Sequence, residues 1–487
     1  MKNSDILLDA IGNTDEKLIP QPDKKRKRRS ALRLSVIGGA CAAAIIALII
    51  ALPWVQSKKA TIPHSGTDGS AMLLAKAVYP QMPEYPDETK YSDWDAFESA
   101  YSEWTNARMT LRKQSDDYKE SYGKFFLNSM RTFLNKSDGG NTVYSPLSLY
   151  MALGMSAEIT GGNSRQQILN ALAQSDIDTM RSHAKSIWQA NYMNDGMAKC
   201  VIANSLWTNN NFAYNQNTVN TVSDTYYSSV FSGDPATEQY NKLLRDWLNE
   251  QTDGLLTDYV SGIKMNPMTV LAIASTVNYS GKWNSQFSSE NTEISVFHTP
   301  GGDVECDFLN AERIMEYYYG DHFSSISLGL ENNGHMKLIL PDEGYTPYDL
   351  LNDRQVEELL LSEYGYKNSK FATVNISIPK FDVSSSIDLR DGLDALGIKD
   401  VFDAEKSDFA PLTDVTDNIR LTKAEQDTRV IIDEEGCKAS SMTIMMCDGT
   451  AMPEDYAQFI LNRPFIFEIM SETGSPLFIG VVNNPVK

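Results

Sequence analysis

At 487 residues, 42% hydrophobic and 22% charged, the chain has ordinary globular composition and enough length to bury a large core. Its formal net charge is -21, and the first 35 residues carry nine basic against five acidic side chains (+4), so the remainder is close to -25. A surface that acidic repels phosphate backbones and argues against nucleic acid as a partner. The five cysteines (41, 200, 306, 437 and 447) form no CxxC pair, which argues against a disulfide scaffold and a zinc site; no metal or cofactor is expected.

In chain order, the first segment is a basic tail, residues 1–33, holding Lys24-Lys25-Arg26-Lys27-Arg28-Arg29. Val36–Val55 follows, twenty uncharged residues that span roughly 30 Å as a helix, enough to cross a bilayer. Only Lys58 and Lys59 stand just beyond it. That charge asymmetry predicts a single-pass transmembrane helix over 34–57, with a cytoplasmic N-terminus and residues 58–487 outside the cell. A cleaved signal peptide, giving a secreted protein, is the rival reading, but no small-x-small site follows the apolar core. Residues 58–70 read as a polar linker, and 71–114 as an N-terminal extension containing a helix (SDWDAFESAYSEWTNARMTLR).

From about 115 the pattern is helical. Tyr118, Tyr122, Phe125, Phe126 and Met130 share one helix face. Ser145-Pro146 reads as an N-cap with proline at the first helical position, and Ser164-Arg165-Gln166-Gln167 as a capping box. Leucines at 389, 393 and 396 with Gly397 as a stop predict a short helix. Strands are predicted over 270–279, 336–341, 372–383, 429–435, 464–470 and 476–482. Helices dominate the first half and strands the second, which is an α+β fold with helices packed on large, mostly antiparallel sheets. No GxSxG, HExxH, P-loop or GxGxxG motif occurs, and none of the five histidines stands beside a nucleophile motif. Nothing points to an enzyme.

Eight segments then occur in a familiar order: Asn141–Leu149 (NTVYSPLSL), Ala203–Trp207 (ANSLW), Trp247–Leu256 (WLNEQTDGLL), Tyr279–Trp283 (YSGKW), Val374–Phe381 (VNISIPKF), Ile431–Gly436 (IIDEEG), Asn462–Phe467 (NRPFIF) and Ser475–Pro485 (SPLFIGVVNNP). Over about 370 residues the chain resembles the serpins, the serine protease inhibitors, here of a bacterial type with an N-terminal membrane anchor. The resemblance makes 71–487 a serpin domain and 433–459 an exposed reactive-centre loop. It implies a monomer that forms a covalent complex with a target serine protease. Its hinge would be Glu434, Glu435, Gly436, Cys437, Lys438, Ala439, Ser440, Ser441, Met442 and Thr443. A polar cluster beneath the opening of the main sheet would hold Ser145, Ser148, Ser275 and Gln426. Ser275 and Gln426 depart from the family's usual Asn and His, and both replacements keep hydrogen-bonding capacity.

Between hinge and bond, period 2 puts Cys437, Ala439, Ser441, Thr443, Met445 and Cys447 on one face of an inserted strand. That face carries no charge, and no proline interrupts 437–452, so the segment suits burial as a new sheet strand after cleavage. Family spacing from Gly436 gives Thr450–Ala451 as the reactive bond, with Ala451–Met452 next; counting back from Asn462 gives Pro453–Glu454, where proline disfavours a cut. Small residues there suit elastase-like or subtilisin-like proteases. The alternative is a non-inhibitory serpin acting as a membrane-anchored binding protein.

Overall fold

The computed structural model describes residues 41–53, 71–135, 139–331, 333–363, 365–414, 419–434, 453 and 455–487. Its strands, in chain order, begin with β1 (Cys41–Pro53), β2 (Met72–Ala75), β3 (Thr142–Tyr144), β4 (Met193–Asn194), β5 (Lys199–Asn209) and β6 (Ser228–Gly233). Then come β7 (Leu271–Gly281), β8 (Glu293–Thr299), β9 (Gly302–Tyr319), β10 (Phe323–Gly329) and β11 (His335–Pro341). The last are β12 (Ser369–Pro379), β13 (Phe381–Asp388), β14 (Ile419–Ile432), β15 (Tyr456–Ile460), β16 (Phe465–Met470) and β17 (Pro476–Val482). The longer helices are α1 (Trp94–Arg112), α2 (Tyr118–Leu134), α3 (Pro146–Ile159), α4 (Gly162–Ala171), α5 (Ile177–Asn191), α6 (Gln216–Tyr226) and α7 (Glu238–Gln251).

An eight-stranded sheet runs β13-β14-β1-β7-β5-β6-β2, with β4 paired to β5. A nine-stranded sheet runs β15-β12-β9-β10-β11-β16-β17-β3, with β8 on β9. Most ladders are antiparallel; β5·β6 and β12·β15 are parallel. The main core joins α2, α3 and both sheets. The five aromatic and apolar residues expected on one face of α2 are all buried, and each adds about 2 kcal/mol of apolar transfer. Every residue of α3 is buried, because this helix lies inside the fold with strands and helices around it. Ser145 caps it as expected, accepting from the Ser148 amide at 3.2 Å with Pro146 next in line. A second cluster, including Trp207, Leu244, Leu248, Ala272 and Ala274, covers the other face of β7 with α7. Both faces of β7 are therefore dry, which is why 270–279 reads as a continuous apolar run.

Several expectations are corrected. No described helix is long and apolar enough to cross a membrane. The centre of the predicted transmembrane helix, 41–53, is β1, a strand in the middle of the eight-stranded sheet. The physical reason lies in what the two settings share. A central strand, like a bilayer span, has apolar surroundings on all sides, and Ile45, Ile46, Ile49 and Ile50 are β-branched. The remainder of 34–57, the tail 1–33 and the linker 58–70 fall outside the described residues.

The capping box at Ser164 is also corrected, since α4 starts at Gly162 after Gly161. A Cβ on Gly161 would stand 2.6 Å from Asp408 Oδ2, and Gly162 has φ +50. The Gly-Gly pair lets the chain pass close to Asp408, whose amide donates to Ser164 Oγ at 3.2 Å. The strand read as 372–383 is two, β12 and β13, separated by Lys380 and belonging to different sheets. The extension 71–114 is part of the fold. Its Trp104 Nε1 donates to Asp195 Oδ2 at 3.0 Å, and Arg108 and Arg112 both pair with Glu472.

Candidate functional site

The expected reactive-centre segment lies between the end of β14 and the start of β15, and its two ends are described as far as Glu434 and from Asp455. Its departure point is tied down from three sides. Lys380 Nζ lies 2.8 Å from Glu434 Oε2, and Thr292 Oγ1 donates to Glu434 Oε1 at 2.9 Å. Trp283 Nε1 donates to the Asp433 carbonyl at 3.1 Å. Lys380 is in place because β12 ends there and β13 begins at once, with Phe381 pairing with Ile432. Burial alone would raise the Glu434 carboxyl, but hydrogen bonds from Lys380, its own amide and Thr292 outweigh it and hold the group below the usual range. At the far end, Asp455 accepts from the Thr373 amide at 2.9 Å, and β15 continues parallel to β12.

Ser145, Ser148, Ser275 and Gln426 come together around the start of α3. The Gln426 amide spans the peptide unit of Ser145: Oε1 accepts from Ser145 N and Nε2 donates to Ser145 O, both at 3.1 Å. Ser148 Oγ donates to the Ser275 carbonyl at 3.0 Å. These bonds fasten the first turn of α3 to β14 on one side and to β7 on the other. All four residues are fully buried. Ser275 Oγ is buried without a hydrogen-bond partner among the described residues, and so is Thr428 Oγ1 on β14.

Between those two strands runs β1, antiparallel to each. Ala47 stands opposite Ser275 on one side and Gln426 on the other, with no exposed surface. β7 and β14 are therefore parallel to one another and held one strand apart, and the place between them accepts an antiparallel strand.

Of the expected hinge only Glu434 is described; Glu435, Gly436, Cys437, Lys438, Ala439, Ser440, Ser441, Met442 and Thr443 lie outside the described residues, as do Thr450, Ala451 and Met452. Thr292 was missed by the sequence reading, and Lys380 and Trp283 were noted only as parts of VNISIPKF and YSGKW. The signal for Lys380 was its position after the Pro379 that closes β12.

The model of the family described as serpin (serine protease inhibitor) matches residues 120–485. The chain belongs to the serpin family. This serpin is 28% identical over 374 residues to the alpha-1-antitrypsin-like protein GS55-MS of Ictidomys tridecemlineatus, covering 74% of this chain and 87% of that protein. It is 26% identical over 387 residues to the alpha-1-antiproteinase of Mus saxicola, covering 77% and 90%. These relatives are mammalian, so the bacterial character expected from the sequence has no support in them. Among solved structures, the native thermophilic serpin tengpin superposes with a TM-score of 0.64 at 23% identity, over 76% of this serpin and 95% of tengpin. That likeness concerns the fold.

Proposed function

We propose that this serpin is a single-use inhibitor of elastase-like or subtilisin-like serine proteases. The protease serine attacks the carbonyl of Thr450 and forms an acyl-enzyme, releasing the amine of Ala451. The freed strand then enters the main sheet before water deacylates the enzyme, and carries the tethered protease with it. The observation that carries this reading is the pair β7 and β14, which stand parallel one strand apart, a spacing that takes an antiparallel strand and is filled by β1. The uncharged alternate face of 437–447 fits that place, and the antitrypsin-like and antiproteinase relatives bear names of the same activity.

Incubation with elastase, subtilisin and trypsin, followed by denaturing electrophoresis, tests the proposal. Elastase or subtilisin should form a complex that survives denaturation, and the released C-terminal peptide should begin between Gly449 and Pro453. Ser441→Arg, on the face to be buried, should convert trapping into simple clipping, whereas Ser440→Arg should be much milder. Clipping without complex by every protease, or equal trapping by Ser441→Arg and wild type, overturns the reading.

On location, the same reading puts residues 58–487 outside the cell, supported by the basic cluster 24–29 ahead of the apolar run. Since 41–53 is a strand in the described structure, anchorage requires it to leave the sheet. Added protease should then shave intact cells and release a fragment beginning after Lys58; a soluble mature protein starting beyond residue 55 refutes this placement.

A further inference from the structure

Helix α1 carries an aromatic row that the rest of the fold leaves half uncovered. Trp94, Phe97, Tyr101 and Trp104 follow one another at spacings of three and four and so share one helix face. Their successive ring centroids lie 5.3, 6.0 and 5.5 Å apart. Tyr91, from the turn before the helix, extends the row at 5.8 Å from Phe97, and Tyr85 backs its other end at 5.1 Å from Trp104. At that inner end Trp104 is buried. The outer end is open, with Trp94 62% exposed, Tyr101 42% and Tyr91 37%. Large apolar groups clustered in water mark a contact surface. The serpin model matches from residue 120 onward, so this row precedes the part of the chain that the family shares.

The inner end shows what such a row can hold. The Arg108 guanidinium stacks over Trp104, 5.0 Å from the ring centroid, and is paired at the same time with the Glu472 carboxylate. A guanidinium uses both neighbours, its charge and planar face against the ring and its N–H donors toward the oxygens. The outer end repeats the ring and the carboxylate. Glu98 stands four positions after Trp94 and three before Tyr101, which puts it one helical turn from each. Glu88, Asp95, Glu98 and Glu103 are all exposed, and residues 76–103 carry seven acidic against two basic side chains (-5). Among the described residues, no cation lies over Tyr91, Trp94, Phe97 or Tyr101.

We propose that the outer half of this row docks an extended, arginine-rich segment of a partner protein. Its guanidinium groups stack on Trp94 and Tyr101 and pair with Glu98 and the neighbouring carboxylates. Charge selects this occupant. A second copy of the chain would bring the same carboxylates face to face, and an anionic lipid surface would meet the same repulsion. Trp94 to Trp104 is ten helical steps, about 15 Å, which an extended segment covers in about five residues. Arginine at alternate positions of such a segment presents its side chains to one side, toward the rings.

Fluorescence anisotropy with a labelled peptide of alternating arginine and glycine, added to the full chain, tests this. Wild type should bind the peptide, and Trp94→Ala should weaken binding about fivefold, the scale of one cation–π contact. Because Trp94 is largely exposed, the variant should keep the wild-type melting temperature, which separates a lost contact from a lost fold. Glu98→Gln should weaken binding by a similar factor, whereas Glu305→Gln, at an exposed position on β9, should leave it unchanged. A lysine–glycine peptide of equal length should bind more weakly, since an ammonium has no planar face to stack. Equal affinity of wild type and Trp94→Ala, equal losses from Glu98→Gln and Glu305→Gln, or equal affinity for the lysine peptide would reduce the binding to diffuse attraction and overturn the proposal. A neutral oligosaccharide that binds more tightly than the arginine peptide, and loses affinity in Trp94→Ala, would assign the rings to a glycan and overturn it as well.

Discussion

Gln426 does for Ser145 what a neighbouring strand does for a peptide unit, accepting its N–H and donating to its C=O, and both residues are fully buried. Gln426→Leu keeps the approximate volume but strands both backbone groups. The cost should be about 2–4 kcal/mol, seen as a lower urea midpoint, because each unsatisfied buried group carries a desolvation penalty of about 1–3 kcal/mol. Ser145 and Ser148 were legible because they sit in the family segment 141–149, and Ser275 and Gln426 only through their spacing from Trp283 and from the hinge. Their partners were not, since Ser145 O and Ser275 O are main-chain atoms that no side-chain pattern reveals. The roles of Thr292, Lys380 and Trp283 escaped for a related reason. They meet Asp433 and Glu434 only because three separate chain segments end at the same corner.

The adjacent strands β11 and β16 bury a charged pair, with Lys337 Nζ 3.2 Å from Glu468 Oε2. Lys337 also donates to the carbonyls of Leu359, Leu360 and Ser362 at 2.7–2.9 Å, which leaves Glu468 without a directed hydrogen bond. Burial pushes the Glu468 carboxyl up to about 7, against the pull of Lys337. The folded state therefore holds a proton that the unfolded state has already released. This group's contribution is most favourable below the ordinary carboxylate range and is lost as pH rises toward about 7. Glu468→Gln should flatten the dependence of the unfolding free energy on pH between roughly 4.5 and 7. Denaturant titrations at several pH values check this, and an unchanged slope would show that Glu468 is ionised throughout. Hydrophobic spacing gave no hint of the pair, because β11 and β16 read as apolar runs. A charge inside such a run is invisible as a contact until the register puts Lys337 opposite Glu468.

At the scale of the molecule, the α+β class, the antiparallel character of the sheets and the order of the family segments were all legible, because periodicity and turn residues act locally. The fate of 41–53 was not. Uniform apolarity states that a segment wants no water on either side, and both a bilayer and the middle of a sheet satisfy that demand. The choice depends on whether two other strands stand apart to receive it, and one of them lies at the opposite end of the chain. That separation bears on how the molecule assembles. Cys41 and Ile432 are partners about 390 positions apart, so the sheet cannot be completed until nearly the whole polypeptide exists. During synthesis β1 emerges first and waits for β7, and it stays an open edge of the sheet until β14 arrives. Contacts of such long range carry the largest loop-closure cost and form late. The strand made earliest is thus among the last to be enclosed, and chains halted before residue 419 would present it with only one of its two neighbours.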